Sequence, residues 1–196
     1  MSWLGLSPLE LVSALLSLWS VWLSMRRSLL AWPVTIVASL LYAEFFRELH
    51  LYSDMLLQIV FALCGIYGWI HWQRGIRQEG SVVVLRMRPR DAWLSILAGV
   101  VMTIALGAFM MRFTDATLPW LDAALTAFSL VGTFWEAQQY IANWTLWIAV
   151  DLVYIVEYFW KHAYVTAILS AIFVVMAVFG LRDWRRVLAA QDESLG

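Results

Sequence analysis

WTLWIAVDLVYIVEYFWKHAYVTAILSAIFVVMAVFGLRDW, residues 144–184, lies over WPVTIVASLLYAEFFRELHLYSDMLLQIVFALCGIYGWIHW, residues 32–72, at a constant offset of 112 and without a gap. Ten positions are identical: Trp32/Trp144, Ile36/Ile148, Leu40/Leu152, Tyr42/Tyr154, His50/His162, Tyr52/Tyr164, Leu57/Leu169, Phe61/Phe173, Gly68/Gly180 and Trp72/Trp184. Chance matching in an apolar chain repeats Leu and Ile; it does not hold Trp, Tyr, His and Gly in register. The chain therefore carries an internal duplication, and everything else is arranged around two copies of one unit. Extending the offset upstream pairs Ser17-Leu18 with Ser129-Leu130, so a third helix joins each copy.

Composition says where those copies fold. Hydrophobic residues make up 63% of the 196 and charged residues only 14%, against about half and a quarter in a soluble domain. Several apolar runs reach the roughly 20 residues that cross a hydrocarbon layer of about 30 Å. The expectation is an integral membrane protein whose core is built in lipid. Cys64 is the single cysteine, inside an apolar run, which excludes an intrachain disulfide and a CxxC or zinc pattern. A net charge of -1 with dispersed arginines argues against a nucleic-acid partner. The N-terminus has no basic region or small-residue cleavage site, so the first helix is expected to stay.

Seven spans follow: Leu6 to Met25, Leu29 to Phe46, Leu51 to Trp72, Ala92 to Met111, Leu118 to Ala137, Ile141 to Trp160 and Ala163 to Leu181. Four crossings separate the first helix from the fifth, so both run in one direction and the two three-helix repeats are parallel. The predicted fold is all-α: a first bundle over 1–72, a cytoplasmic loop and linker helix over 73–117, a second bundle over 118–184, and a cytoplasmic tail over 185–196. Gly75, Gly80 and Pro89 suit the loop from Gln73 to Asp91 to a linker. Parallel repeats about an axis along the membrane normal are one transporter architecture, with substrate near the midplane; a purely structural bundle is the alternative. Arg26, Arg27, Arg74, Arg77, Arg86, Arg88, Arg90, Arg182, Arg185 and Arg186 fall on one side, and Arg47, Arg112 and Lys161 on the other. That asymmetry places the N-terminus outside and the C-terminus in the cytoplasm.

On a helical wheel, Asn143, Trp144, Trp147, Asp151, Tyr154 and Tyr158 share an arc of roughly 100° on the sixth helix. Asn143 could be interhelical glue and the aromatics an interfacial belt. Belts concentrate at helix ends, however, whereas Trp147, Asp151 and Tyr154 run through the middle. An ionisable group at that depth costs about 2.5 to 3.5 kcal/mol on insertion scales and marks a pathway or site. The matching face of the second helix, Ala31, Trp32, Thr35, Ser39, Tyr42 and Phe46, is smaller and less polar, which implies one asymmetric site. The third helix adds Asp54, Gln58, Phe61, Gly65 and Trp72; Gln58 is deep enough to be a ligand, Asp54 is equally an N-terminal cap, and Gly65 with Ala177 reads as close helix packing. Trp and Tyr faces attract flat rings, cationic ones above all, and Asn, Gln and Asp supply donors and acceptors. The site would take a small aromatic, hydroxylated solute, neutral or cationic.

Other patterns are missing from the sequence. It has no GxxxxGK[ST] and no nucleophile elbow, and His50, His71 and His162 lack metal-ligand spacing. No catalytic residue, metal ligand or cofactor is therefore expected. Glu44 and Glu136 lie in or near spans without an evident partner, which leaves proton coupling open although nothing pairs them into a relay.

LYSDMLLQ (Leu51 to Gln58), YGWIHW (Tyr67 to Trp72), NWTLWIAVD (Asn143 to Asp151) and the tail HAYVTAILSAIFVVMAVFGLRDW from His162 together resemble the PnuC family of vitamin transporters, chiefly nicotinamide riboside transporters. The resemblance covers nearly the whole chain from the second helix on. It implies a seven-helix, 3+1+3 fold similar to that of SWEET sugar transporters, assembled as a homotrimer in the bacterial inner membrane. It also implies facilitated diffusion of nicotinamide riboside, made directional by a cytoplasmic kinase that phosphorylates the substrate. By motif, Gln58, Trp69, Trp135, Gln139, Asn143, Trp147 and Asp151 are the implied substrate contacts. Thiamine or riboflavin is the alternative cargo, and a membrane enzyme or scaffold the alternative class.

Overall fold

The computed structural model describes residues 7–48, 50, 52–74, 77–78, 81–114 and 117–193. Among them are seven helices: α1 (Pro8–Met25), α2 (Ala31–Glu48), α3 (Tyr52–Arg74), α4 (Pro89–Phe113), α5 (Pro119–Ala137), α6 (Ala142–Trp160) and α7 (Tyr164–Glu193). A two-residue hairpin, β1 (Arg77–Gln78) and β2 (Ser81–Val82), precedes α4, with Arg77 opposite Val82 and Gln78 opposite Ser81. Except at the end of the seventh, the spans read from sequence match the helices to within a few residues where both ends are described. Leu6, Leu51, Gly75 and Gly80, which entered those readings, lie outside the described residues. The seventh helix does not stop at Leu181: it continues to Glu193, because RRVLAAQ consists of good helix formers with no breaker. Among the described residues α1, α3, α4 and α7 are long and apolar enough to cross a membrane by composition.

Two compact units divide the chain: Met1–Val83 with Ala137–Gln139, and Val84–Glu136 with Tyr140–Gly196. In the first, Ser7 starts α1 with a capping box: its hydroxyl accepts from the Glu10 N–H at 3.0 Å, while its own N–H donates to the Glu10 carboxylate. The core of this unit is an edge-to-face pair of indoles, Trp32 and Trp72, with ring centroids 5.4 Å apart at 89°. Both are sealed from solvent. A methyl group at Gly68 would lie 2.4 Å from the Trp32 ring, so only glycine lets α3 approach α2 this closely. The expected approach at Gly65 is also there: its Cβ would meet Ile36 at 2.8 Å.

The second unit repeats this arrangement. Trp144 and Trp184 meet edge to face at 5.6 Å and 85°, and a Cβ on Gly180 would lie 2.8 Å from Trp144. The unit also holds α4, whose Gly107 and Gly99 receive Trp120 and Phe128 of α5.

The duplication extends into the turns. Among the described residues, the non-glycine residues with positive φ are Arg27 (55°), His50 (59°), Gln139 (64°) and His162 (57°), two pairs at the same offset of 112. Each sits just past a helix end. After α1, Ser28 N–H bonds to Leu23 C=O and Arg27 N–H to Ser24 C=O; after α6, Ala163 N–H bonds to Tyr158 C=O and His162 N–H to Phe159 C=O. These are Schellman closures, which satisfy the last carbonyls of the helix by turning one residue left-handed. The shared histidine thus marks a helix stop.

Candidate functional site

The α6 face is fixed first by its N-terminus. Leu85, from the linker, pairs in parallel with Tyr140 and accepts a hydrogen bond from Ile141 N–H at 3.0 Å. Val84 beside it is 2% exposed, because a β-branched run favours extended backbone and buries well. Tyr140 C=O in turn accepts from both the backbone N–H and the side-chain Nδ2 of Asn143, at 3.1 and 2.7 Å. The Asn143 amide is therefore oriented by a carbonyl that the linker holds. Asn143 is fully buried, and its Oδ1 has no hydrogen-bond partner among the described residues. A buried acceptor left unpaired costs roughly 1–3 kcal/mol, which a ligand donor would recover.

One turn on, Trp147 is half-buried with its indole against Gly132 of α5. A further turn on, Asp151 is 8% exposed and has no ion-pair or hydrogen-bond partner among the described residues. Residues 143, 147 and 151 share one stripe by their spacing of four. Tyr154 closes the stripe: its hydroxyl lies near Ser129 of α5, and its ring stacks on Tyr158 at 5.4 Å and 8°. On α5, Trp135 lies three residues after Gly132, 7% exposed, with an indole N–H that has no partner among the described residues.

The end of α6 is held by charge. Lys161 bonds to Glu157 within its own helix and to Asp122 of α5 at 3.1 Å. Burial lowers the Lys161 pKa, but hydrogen bonds to Glu157 and Asp122 outweigh it and hold the ammonium above the ordinary lysine range. The sequence reading missed this cluster. Its signal was the spacing of Glu157 and Lys161, an i,i+4 pair of the favourable order.

In the first unit the stripe positions 31, 35 and 39 are Ala31, Thr35 and Ser39, and the Thr35 hydroxyl is already spent on Ala31 C=O at 2.9 Å. Gln58 is half-buried and Trp69 is 37% exposed. Gln139 is 4% exposed and carries the left-handed backbone of the turn after α5. Two readings are corrected. Trp144, counted with the polar face, belongs to the packing side against Trp184 and Gly180. Glu44 has a partner, the guanidinium of Arg47 one turn away on an exposed surface. No group of three or more His, Cys, Asp and Glu able to hold a metal ion occurs among the described residues.

This stripe presents a half-buried indole and, among the described residues, an unpartnered amide oxygen and an unpartnered carboxylate, which is chemistry able to hold a solute. Residues 7–186 match the model of the nicotinamide mononucleotide transporter family. The chain belongs to this family. Members similar to it include the riboflavin/roseoflavin transporter RibM of Streptomyces davaonensis, 28% identical over 89% of this chain and 83% of that one. The nicotinamide riboside transporters PnuC of Escherichia coli and Shigella flexneri are each 24% identical over 91% of this chain and 85% of theirs. The crystal structure of the vitamin B3 transporter PnuC shares its fold, with a TM-score of 0.75 at 19% identity, covering 91% of this chain and 81% of that one. Nicotinamide mononucleotide transporter family members are membrane transporters, not enzymes, and this chain is a multi-pass helical member of that family.

Proposed function

We propose that the protein carries nicotinamide riboside, by facilitated diffusion, across the bacterial inner membrane. The observation that carries this reading is the α6 stripe. A pyridinium nucleoside offers a flat cationic ring to Trp147, a carboxamide or hydroxyl donor to the unpaired Asn143 Oδ1, and a positive charge to Asp151. Gln58, Trp69 and Gln139 in the first unit, and Trp135 in the second, are further proposed contacts. The proposed organisation is a homotrimer, each chain with three-helix bundles at 1–72 and 118–184 and the linker at 73–117. Its N-terminus lies outside and the tail at 185–196 in the cytoplasm, where a kinase traps the imported nucleoside by phosphorylation.

Riboflavin is the second reading, favoured by the likeness to RibM. Its isoalloxazine is neutral and leaves Asp151 without a counter-charge, so the cationic cargo is preferred. A thermal-shift screen of the purified protein with nicotinamide riboside, thiamine and riboflavin separates them, because a ligand at 100 times its Kd adds about 2.7 kcal/mol of stability. A shift with nicotinamide riboside supports the proposal; a shift with riboflavin alone replaces it. Transport is tested in vesicles, where uptake should stop at equilibrium, and accumulation driven by an imposed proton or sodium gradient would overturn the facilitated mechanism.

A further inference from the structure

We infer that Gly132 is the specificity-setting position of the α6 site: by lacking a side chain it fixes how close the Trp147 indole lies to α5, and so where the stacking face stands. The inference rests on the reading of Trp147 as a substrate wall.

An ideal Cβ at position 132 would lie 3.2 Å from Trp147 Cε2, 3.4 Å from Cζ2 and 3.5 Å from Nε1. Three indole atoms within this range mean that the ring rests on the bare α5 backbone. A methyl group there would be tighter than ordinary contact, so the indole would have to move away from α5. Gly132 lies in the interior of α5, where glycine weakens a helix relative to alanine. Helix formation alone therefore argues against glycine here.

The duplication isolates the position further. One structural glycine of the repeat occurs in both copies, Gly68 with Gly180, against Trp32 and Trp144, and Gly65 has the small Ala177 as its counterpart. Gly132 has no glycine twin: its counterpart is Ser20, and the counterpart of Trp147 is Thr35. Ser20 keeps its hydroxyl on its own helix, donating to Ser17 C=O at 2.9 Å. The change to glycine accompanies the change to tryptophan in the copy that bears Asn143 and Asp151. Like Gly68 against Trp32 and Gly180 against Trp144, Gly132 makes room for an indole, but here the indole is the one on the α6 stripe.

The test is isothermal titration of purified Gly132→Ala with nicotinamide riboside, with riboflavin in parallel. Gly132→Ala should weaken binding by about five-fold or more, as the stacking contact is lost, while the melting temperature holds or rises as helix propensity improves. In the Trp147→Leu background, where no ring remains for a methyl group to meet, Gly132→Ala should change Kd by no more than about two-fold. Wild-type affinity in Gly132→Ala, beside a loss in Trp147→Ala, overturns the inference. So does a further loss of about five-fold in Gly132→Ala/Trp147→Leu relative to Trp147→Leu, an arm that stays readable if the single variant does not fold. Wild-type affinity in Trp147→Ala itself removes Trp147 from the site, and with it the reading on which the inference stands.

Discussion

The two units carry the same skeleton and different walls. Trp32 with Trp72 and Trp144 with Trp184 meet at nearly the same distance and angle, over Gly68 and Gly180, and the left-handed stops recur at equivalent positions. Along the stripe, by contrast, Asn143, Trp147 and Asp151 correspond at the repeat offset to Ala31, Thr35 and Ser39. In the first unit the hydroxyl of Thr35 is satisfied internally; in the second, among the described residues, an amide oxygen stays unpaired and a carboxylate stays without a partner cation. Positions that hold helices together were kept on duplication. The positions proposed to meet a solute differ between the copies, as they would if one stripe alone recognises it.

The sharpest break of this equivalence would come from the framework. Trp32→Ala and Trp144→Ala should each lower stability by about 3 to 5 kcal/mol, by similar amounts, in unfolding monitored in detergent. A large cost at one site only would show that the two cores do not do the same work. The next effect belongs to the walls. Trp147→Ala should cost about 2 kcal/mol of nicotinamide riboside binding, Trp147→Phe less, and Thr35→Ala nothing that titration resolves. Equal losses at positions 35 and 147 would make the site symmetric.

Asp151→Asn sharpens the difference in charge. It should lower affinity for the cationic nucleoside by about 1 kcal/mol or more and leave a neutral ring such as riboflavin unaffected, whereas Ser39→Ala should alter neither. Competition binding at low and high salt checks this. The smallest effect lies in the turns: His50→Gly and His162→Gly should each be neutral or stabilising by up to about 1 kcal/mol, since glycine adopts the left-handed region without the Cβ penalty. Loss of transport at unchanged stability in either variant would give the histidine a role beyond the helix stop.

The membrane class, the seven helices and the repeat were determined by the sequence alone, for a physical reason. Apolar runs of span length and the register of Trp, Tyr, His and Gly are properties of the chain that no packing can hide. Asn143, Trp147 and Asp151 were legible as a stripe because a spacing of four returns to one face whatever the surroundings. The rotation of that helix was not legible. Both lipid and core are apolar, so hydrophobicity does not say which flank of a membrane helix packs, and Trp144, about 60° around from Trp147, could be read with the site until its contact with Trp184 was seen. Tertiary structure alone decided the rest: that His50 and His162 end helices, that Leu85 holds the start of α6, that Lys161 joins Asp122 to Glu157, and that Gly132 lies beneath Trp147. Each of these is a meeting of residues distant in sequence or a backbone conformation, and neither leaves a periodic trace in the chain.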